Sequence, residues 1–315
     1  VSRPVLGEEQ IEALTARALA GDTIEELLAG LVAARVDVDA AWGEVAAVLR
    51  SPILAGARGV AARGSAVERA ARLHLALQPA ALEERTALDE GTLLREHWGP
   101  QRPVVLRGAA SGWRAASWTF PELRDRFGWA PVDALVRTPG WWRRERLLRR
   151  LPFGELVDAV LGPPSDALYA DGYASVLEQA GLAPLRAELG LLPGLVGDGH
   201  PRAWVGPAGT VTPTHTDQSS GWLTQLVGRK RVWLASPLEP ALLDTALGLF
   251  AQVDPRVPAS GALAEVRWHE VVLAPGDALF TPVGWWHQVE ALEPSFSVSF
   301  SGFRWPNAFP WFVPG

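Results

Sequence analysis

Two textures of hydrophobic spacing run along this chain, and one gives way to the other near residue 88. In the first, Leu, Ile, Val and Ala recur every three or four positions, through Glu8 to Ala20, Thr23 to Val36 and Val38 to Leu49. That period is the signature of helices with one buried face. Asp22-Thr23 with Glu26 following reads as a helix start, because the hydroxyl and the carboxylate can each take a free backbone N–H. A further alanine-rich helix is predicted from about Ala66 to Leu77. Pro79 and the charged run Glu83-Glu84-Arg85 mark a boundary, so residues 1–87 are expected to form a helical N-terminal region and residues 88–315 a second domain.

In the second texture the apolar runs shorten and Gly and Pro punctuate them. Pro103 to Gly108 reads as a buried strand closed by glycine, and Trp118 to Phe127 and Leu151 to Leu161 read as helices. From residue 203 onward short strands dominate: Ala203–Val205, Leu223–Leu226, Arg231–Ala235, Glu265–Leu273, Ala278–Thr281, Trp286–Ala291 and Phe296–Phe300. Ser295-Phe-Ser-Val-Ser-Phe-Ser301 alternates small polar with apolar residues, as a strand with two unlike faces does. Many short strands separated by turn residues predict a mainly β fold, a sandwich or jelly-roll barrel preceded by helices. The chain shows no internal repeat.

Composition narrows the chemistry. The 315 residues carry a net charge of −6, which argues against a general nucleic-acid binder. Neither a secretory signal nor an apolar run of membrane-spanning length is visible, so a cytoplasmic protein without membrane contact is the default expectation. There is no cysteine, so any metal must be held by His, Asp or Glu. Fifteen tryptophans are present, all but Trp42 from residue 98 onward. One lysine, Lys230, stands against 28 arginines, a bias resembling that of a GC-rich bacterial genome.

His215-Thr-Asp217 has the HxD spacing, and His287 follows seventy residues later, after Pro275-Gly-Asp and Pro282-Val-Gly-Trp-Trp. In an extended strand residues i and i+2 share a face, so His215 and Asp217 can converge while Thr216 turns away. The run Ala278 to Thr281 reads as a neighbouring strand that brings His287 to the same point. Two imidazoles and one carboxylate on one face of an ion leave the opposite face open, the arrangement of a non-haem Fe(II) centre. His74, His97, His200 and His269 fall outside this pattern and are assigned ordinary structural roles. The retained Lys230 suggests an anionic co-substrate such as a 2-oxo acid, whose far carboxylate an ammonium can hold and a bulkier guanidinium fits less well. Thr212 and Tyr169 are candidate hydroxyl donors to the same group.

These segments resemble the JmjC-type, cupin-like 2-oxoglutarate oxygenases, and within them the hydroxylase branch. The resemblance rests on Trp204 to Asp217, Gln225 with Gly228-Arg-Lys230, and Pro275 to His287, and it extends over roughly residues 90–305 through Arg102 to Gly108 and Trp113. It implies a double-stranded β-helix, iron on His215, Asp217 and His287, and 2-oxoglutarate on Lys230, Thr212 and Tyr169. It also implies hydroxylation of a peptide or protein side chain, with N-methyl demethylation or a non-catalytic cupin binding module as alternatives. Gly221 and Ser301 stand where the family often has Asn. The first 85 residues are not explained by the resemblance; dimerisation and substrate binding are the roles considered for them. The segment Trp141 to Arg150, rich in arginine beside two tryptophans, is a solvated face or an anchor for an acidic peptide.

Overall fold

The structure is a computed structural model and describes residues 6–137 and 147–314. The chain divides into two compact units, Val1–Leu77 and Gln78–Gly315. Among its described residues the first holds four helices: α1 (Glu8–Ala20), α2 (Ile24–Ala33), α3 (Val38–Arg50) and α4 (Pro52–Leu77). The start of α2 is the reciprocal cap expected there: Glu26 N–H donates to the Thr23 hydroxyl at 3.3 Å and Thr23 N–H to the Glu26 carboxylate at 2.8 Å. The apolar stripes meet in a small core of Leu14, Ala18, Leu27, Leu31, Ala41, Val45 and Leu54, joined by Leu6. Only the last part of α4 is legible in the sequence. Gly56, Gly59 and Gly64 weaken its helical pattern, yet Pro52 at its first turn lets it begin fourteen residues before the expected start. Among the described residues no single helix is long and apolar enough to cross a membrane.

Among the described residues the second unit carries fifteen strands: β1 (Glu83–Arg85), β2 (Val104–Leu106), β3 (Pro131–Val136), β4 (Leu148–Pro152), β5 (Leu168–Tyr169), β6 (Pro201–Gly206), β7 (Val211–His215), β8 (Gly221–Val227), β9 (Lys230–Ala235), β10 (Ala246–Leu247), β11 (Phe250–Ala251), β12 (His269–Leu273), β13 (Ala278–Thr281), β14 (Trp286–Ala291) and β15 (Ser295–Phe300). One six-stranded sheet has the order β1-β2-β13-β8-β15-β6, a second β10-β11-β7-β14-β9-β12, and a small third one β4-β3-β5. Val105, Leu223 and Leu279 of the first sheet pack with Val232, Leu234, Val271 and Leu273 of the second. This is the jelly-roll that the strand pattern predicts. Apart from the parallel β1–β2 pair, the ladders are antiparallel.

Three details depart from the sequence reading. Glu83-Glu84-Arg85, read as a boundary, pairs with Val104–Leu106 as an edge strand, so residues 78–87 lie within the second unit. An edge strand needs backbone partners on one side only and tolerates charge, which hides it from a hydrophobicity pattern. Residues 148–152 form β4 and the helix begins at Phe153; the rest of the arginine-rich segment, residues 141–146, lies outside the described residues. The run Ala278 to Thr281 belongs to the opposite sheet from His287, and the Pro282–Trp285 turn carries the chain across.

Much of the tryptophan content goes into one aromatic cluster. Trp98 lies 4.7 Å from Phe303, 4.9 Å from Trp305 and 5.9 Å from Phe280, all in the tilted arrangements that aromatic rings favour. Trp222 meets Phe280 at 5.4 Å and is completely buried.

The turn between β8 and β9 is fixed by Gly228. Its φ is +69°, and a Cβ there would lie 2.1 Å from the carbonyl oxygen of Pro294. Gln225 braces the same turn from inside: its amide donates to the carbonyls of Val227 at 2.7 Å and Gly228 at 2.9 Å, and its oxygen accepts from the Ser297 hydroxyl at 2.7 Å. Gly228→Ala is therefore expected to destabilise the second unit by about 1–3 kcal/mol. Thermal or chemical denaturation of the full chain measures this; an unchanged midpoint would show that the turn can relax.

Candidate metal and co-substrate site

Antiparallel pairing of β7 with β14 sets His215 directly opposite His287, at the point where a bulge shifts the register before Val289. The two ring centroids are 4.1 Å apart. Each ring is oriented by its own backbone: the Nδ1 of His215 lies 2.8 Å from the Pro213 carbonyl and that of His287 3.0 Å from the Trp285 carbonyl. A carbonyl accepts only, so Nδ1 carries the proton and Nε2 keeps the lone pair that a metal needs.

Asp217 does not reach this place as the third residue of a common strand. β7 ends at His215, and Asp217 sits in the following loop, with its side chain half exposed. Thr216 between them is fully buried, and its N–H donates to Leu249 O at 2.8 Å. The Asp217 carboxylate makes no hydrogen bond among the described residues, and it lies 3.7 Å from His287 Nε2. One ligand atom from each of His215, Asp217 and His287 falls within 4.8 Å of the others. Two imidazoles and one carboxylate without a hydrogen bond among the described residues are a donor set that suits a divalent iron. Burial, reinforced by the neighbouring His287, holds the His215 imidazole well below the usual histidine range, so its neutral form prevails at neutral pH.

Loop contacts hold Asp217 in place. Gly284 N–H donates to Asp217 O at 3.2 Å, and Val283 N–H to the Ser220 hydroxyl at 3.0 Å, tying the loop to the turn before His287. The C-terminal tail adds a second tie. Asn307 accepts from Ser220 N–H at 2.7 Å and donates to the carbonyls of Ser220 and Ser301 at 2.8 and 2.9 Å. Gln218 donates to Pro310 O at 2.8 Å and to Phe312 O at 3.0 Å. Asn307 was not singled out in the sequence, where a lone Asn in a Pro- and Trp-rich tail gives no signal. It bonds to Ser301 and to Ser220, the neighbour of Gly221.

The same cavity that contains the His–Asp–His cluster ends on Lys230. It measures about 90 Å³, and its lining includes Tyr169 and Thr212. Lys230 opens β9 between β12 and β14, and only 2% of it is exposed. Its Nζ donates to the Tyr169 hydroxyl at 3.4 Å, and no carboxylate pairs with it among the described residues. Burial, with a smaller push from the nearby Arg137 guanidinium, lowers the Lys230 ammonium to about 7. Tyr169 is raised above its usual range, chiefly by burial, and so stays a neutral hydroxyl; Thr212 hydrogen-bonds to it. Arg137 lies 4.3 Å above the Tyr169 ring and bonds to Asp166 and to Val211 O at 2.5 and 2.6 Å. The structure thus brings all six sequence-selected residues to the walls of one cavity.

A wider cavity of about 270 Å³ shares His215, Asp217 and Thr212 and is walled further out by Arg137, Asp171, Tyr173 and Arg202. Tyr173 is exposed, with the Arg202 guanidinium 5.2 Å from its ring.

Residues 90–301 match a family model described as a cupin-like domain. A Xenopus tropicalis protein named Lysine-specific demethylase 8 is 31% identical over 225 residues, which is 65% of this chain and 49% of that protein. A Drosophila melanogaster protein named Jumonji C domain-containing protein 5 is 42% identical over 108 residues, 31% of this chain and 26% of its own length. The Arabidopsis thaliana Lysine-specific demethylase JMJ30 is 29% identical over 256 residues, 72% of this chain and 55% of that protein. The chain therefore spans from about a quarter to just over half the length of these relatives.

A lysine that loses its proton near pH 7 when folded and near 10.5 when unfolded has a definite linkage. Between those values the unfolded chain binds the extra proton, so the free protein gains stability as pH rises through the window. An anion in the cavity restores the charge. Binding of 2-oxoglutarate at pH 8 to 9 should therefore take up close to one proton, and affinity should fall as pH rises above about 7. Calorimetry in buffers of different ionisation heat reads the uptake directly. Lys230→Ala should abolish it, and an uptake that survives this change would place the titrating group elsewhere. Separately, Asn307→Ala is expected to loosen the Asp217 loop and lower Fe(II) affinity by about tenfold, as loss of a group supporting a metal ligand does. An unchanged iron titration would show that the Gly284 and Val283 contacts hold the loop alone.

Proposed function

This chain belongs to the cupin-like, JmjC-type family of Fe(II)/2-oxoglutarate-dependent oxygenases, and on that premise we propose that it hydroxylates a side chain of a peptide or protein. The observation that carries the reading is the sharing of one cavity by a His–Asp–His cluster and a buried lysine that no acid neutralises among the described residues. His215, Asp217 and His287 would hold the iron. Iron and 2-oxoglutarate together would supply dioxygen activation, with the co-substrate leaving as succinate and carbon dioxide and one oxygen atom entering the substrate C–H bond.

The chain's own part is to bind, orient and exclude water. The Lys230 ammonium faces the far carboxylate, and the hydroxyls of Tyr169 and Thr212 add neutral hydrogen bonds. Trp222, Leu223, Val232, Leu279 and Val289 make much of the remaining wall apolar, with Thr281 and Ser299 among the other lining residues, and this strengthens the charge contact and keeps bulk solvent away. No side chain need act as a general base, and none is assigned that role. The wider cavity beside His215 and Asp217 would admit the substrate. The N-terminal helices are the candidate surface for a second copy or for the substrate protein.

N-methyl demethylation is the second reading, favoured by the names of the Xenopus and Arabidopsis relatives. It uses the same oxidation at an N-methyl carbon. Asp217 of the outer cavity would be engaged by the metal, and Asp171 is then the remaining carboxylate of that lining to face a methylated ammonium, beside the guanidinium of Arg202 and that of Arg137, which is paired with Asp166; this favours hydroxylation.

The test is turnover. With Fe(II), ascorbate and 2-oxoglutarate the chain should form succinate, and His287→Ala should reduce this to background. Mass spectrometry of candidate peptides separates the readings: a gain of one oxygen indicates hydroxylation, and loss of a methylene with formaldehyde release indicates demethylation. Equal succinate formation by the wild type and His287→Ala would remove the enzymatic reading altogether.

A further inference from the structure

His97 was assigned an ordinary structural role from the sequence, but its surroundings do not fit one. It is completely buried, and neither ring nitrogen has a hydrogen-bond partner. The Arg102 backbone exerts only a weak pull on it. A buried imidazole normally bonds at one nitrogen at least, because leaving both bare costs about 1–3 kcal/mol per group.

Two carboxylates stand over this ring. One ligand atom of His97 and one oxygen each of Glu83 and Glu96 fall within 4.8 Å of one another. Glu83 lies at the start of β1, and Glu96 precedes His97 in a π-helical turn, Leu93–Trp98. Such turns are rare and frequently occur at binding sites. Both glutamates are about half exposed, so an ion could enter from solvent and meet the imidazole from above. Burial keeps His97 below the ordinary histidine range, so its lone pair is available at neutral pH.

We propose that Glu83, Glu96 and His97 form a second divalent-cation site, for a transition ion such as zinc, separate from the His215–Asp217–His287 cluster. An imidazole with two carboxylates suits that class of ion. The ion would clamp the edge strand β1 to the turn that leads into the barrel. Arg85 is its built-in competitor. The guanidinium bonds Glu83 at 2.6 Å and Glu96 at 2.5 Å, drawing the two carboxylates together with a positive charge where the ion would lie. Binding must displace it, so the site is weaker than its ligands alone would make it, and removing Arg85 should tighten it.

The experiment is a Zn(II) titration of the full chain by calorimetry, with metal content measured after dialysis. The double variant His215→Ala/His287→Ala blinds the first cluster. It should still bind one zinc per chain, and its thermal midpoint should rise with zinc. Adding Glu83→Gln or Glu96→Gln, both at exposed positions, should weaken that binding by about tenfold or more, since even outer partners of metal ligands carry that much. Arg85→Gln should strengthen it. If the double variant does not fold, the wild-type chain should bind a second zinc that Glu96→Gln removes. The proposal is overturned if no such second ion is bound, if the glutamine variants leave its affinity unchanged, or if Arg85→Gln weakens it. None of these outcomes bears on the reading of the first cluster.

Discussion

A buried ammonium without a buried anion is the constraint on which this structure turns. Removing a charge from water costs several kcal/mol unless something inside replaces the lost hydration. Among the described residues the protein supplies the Tyr169 hydroxyl at 3.4 Å, and Arg137 adds a second positive charge nearby. The position is nevertheless fixed by the barrel. Lys230 opens β9 between β12 and β14, Gly228 permits the tight turn before it, and Gln225 locks that turn. A cavity wall so built is unfavourable when empty and favourable with a carboxylate in it. Its binding energy comes from a charge contact in a dry site, where such contacts are strongest.

The metal end of the cavity follows a different logic. Strand pairing places His215 opposite His287, and backbone carbonyls orient both rings, so two ligands are preorganised by the sheet itself. The third is not. Asp217 lies on a loop whose position depends on Gly284, Ser220 and the C-terminal Asn307. The candidate ligand set therefore joins two rigid members to one adjustable member, and the tail after the last strand supports it through the loop.

Much of this was legible in the residues. The helical and strand textures, the reciprocal cap at Thr23 and Glu26, and the six cavity residues are all visible in the sequence. What could not be read shares a physical origin. Edge strand β1 is made of charged residues and is defined by backbone pairing with β2. The pairing of β7 with β14 rather than with a neighbour of β13 is a matter of which sheet each strand joins, and local alternation does not encode it. Asn307 acts through backbone groups far away along the chain, so its residue type carries no signal, and Gln225 belongs to the resembling segment without revealing the turn that it braces. His97 shows the reverse: an unremarkable histidine in the sequence becomes conspicuous once its burial and bare nitrogens are seen.

The central claim is that Lys230 receives the far carboxylate of a 2-oxo acid whose other end meets a metal on His215, Asp217 and His287. The most direct test is an anaerobic titration of 2-oxoglutarate into the Fe(II)-loaded chain, followed by the visible charge-transfer band that an oxo acid gives when it chelates iron. In the wild type the band should develop and saturate. In Lys230→Ala it should reach the same intensity, but at about ten- to a hundredfold higher concentration, the equivalent of losing one charge-assisted contact. No band in the wild type, or the same midpoint in both proteins, would contradict the account.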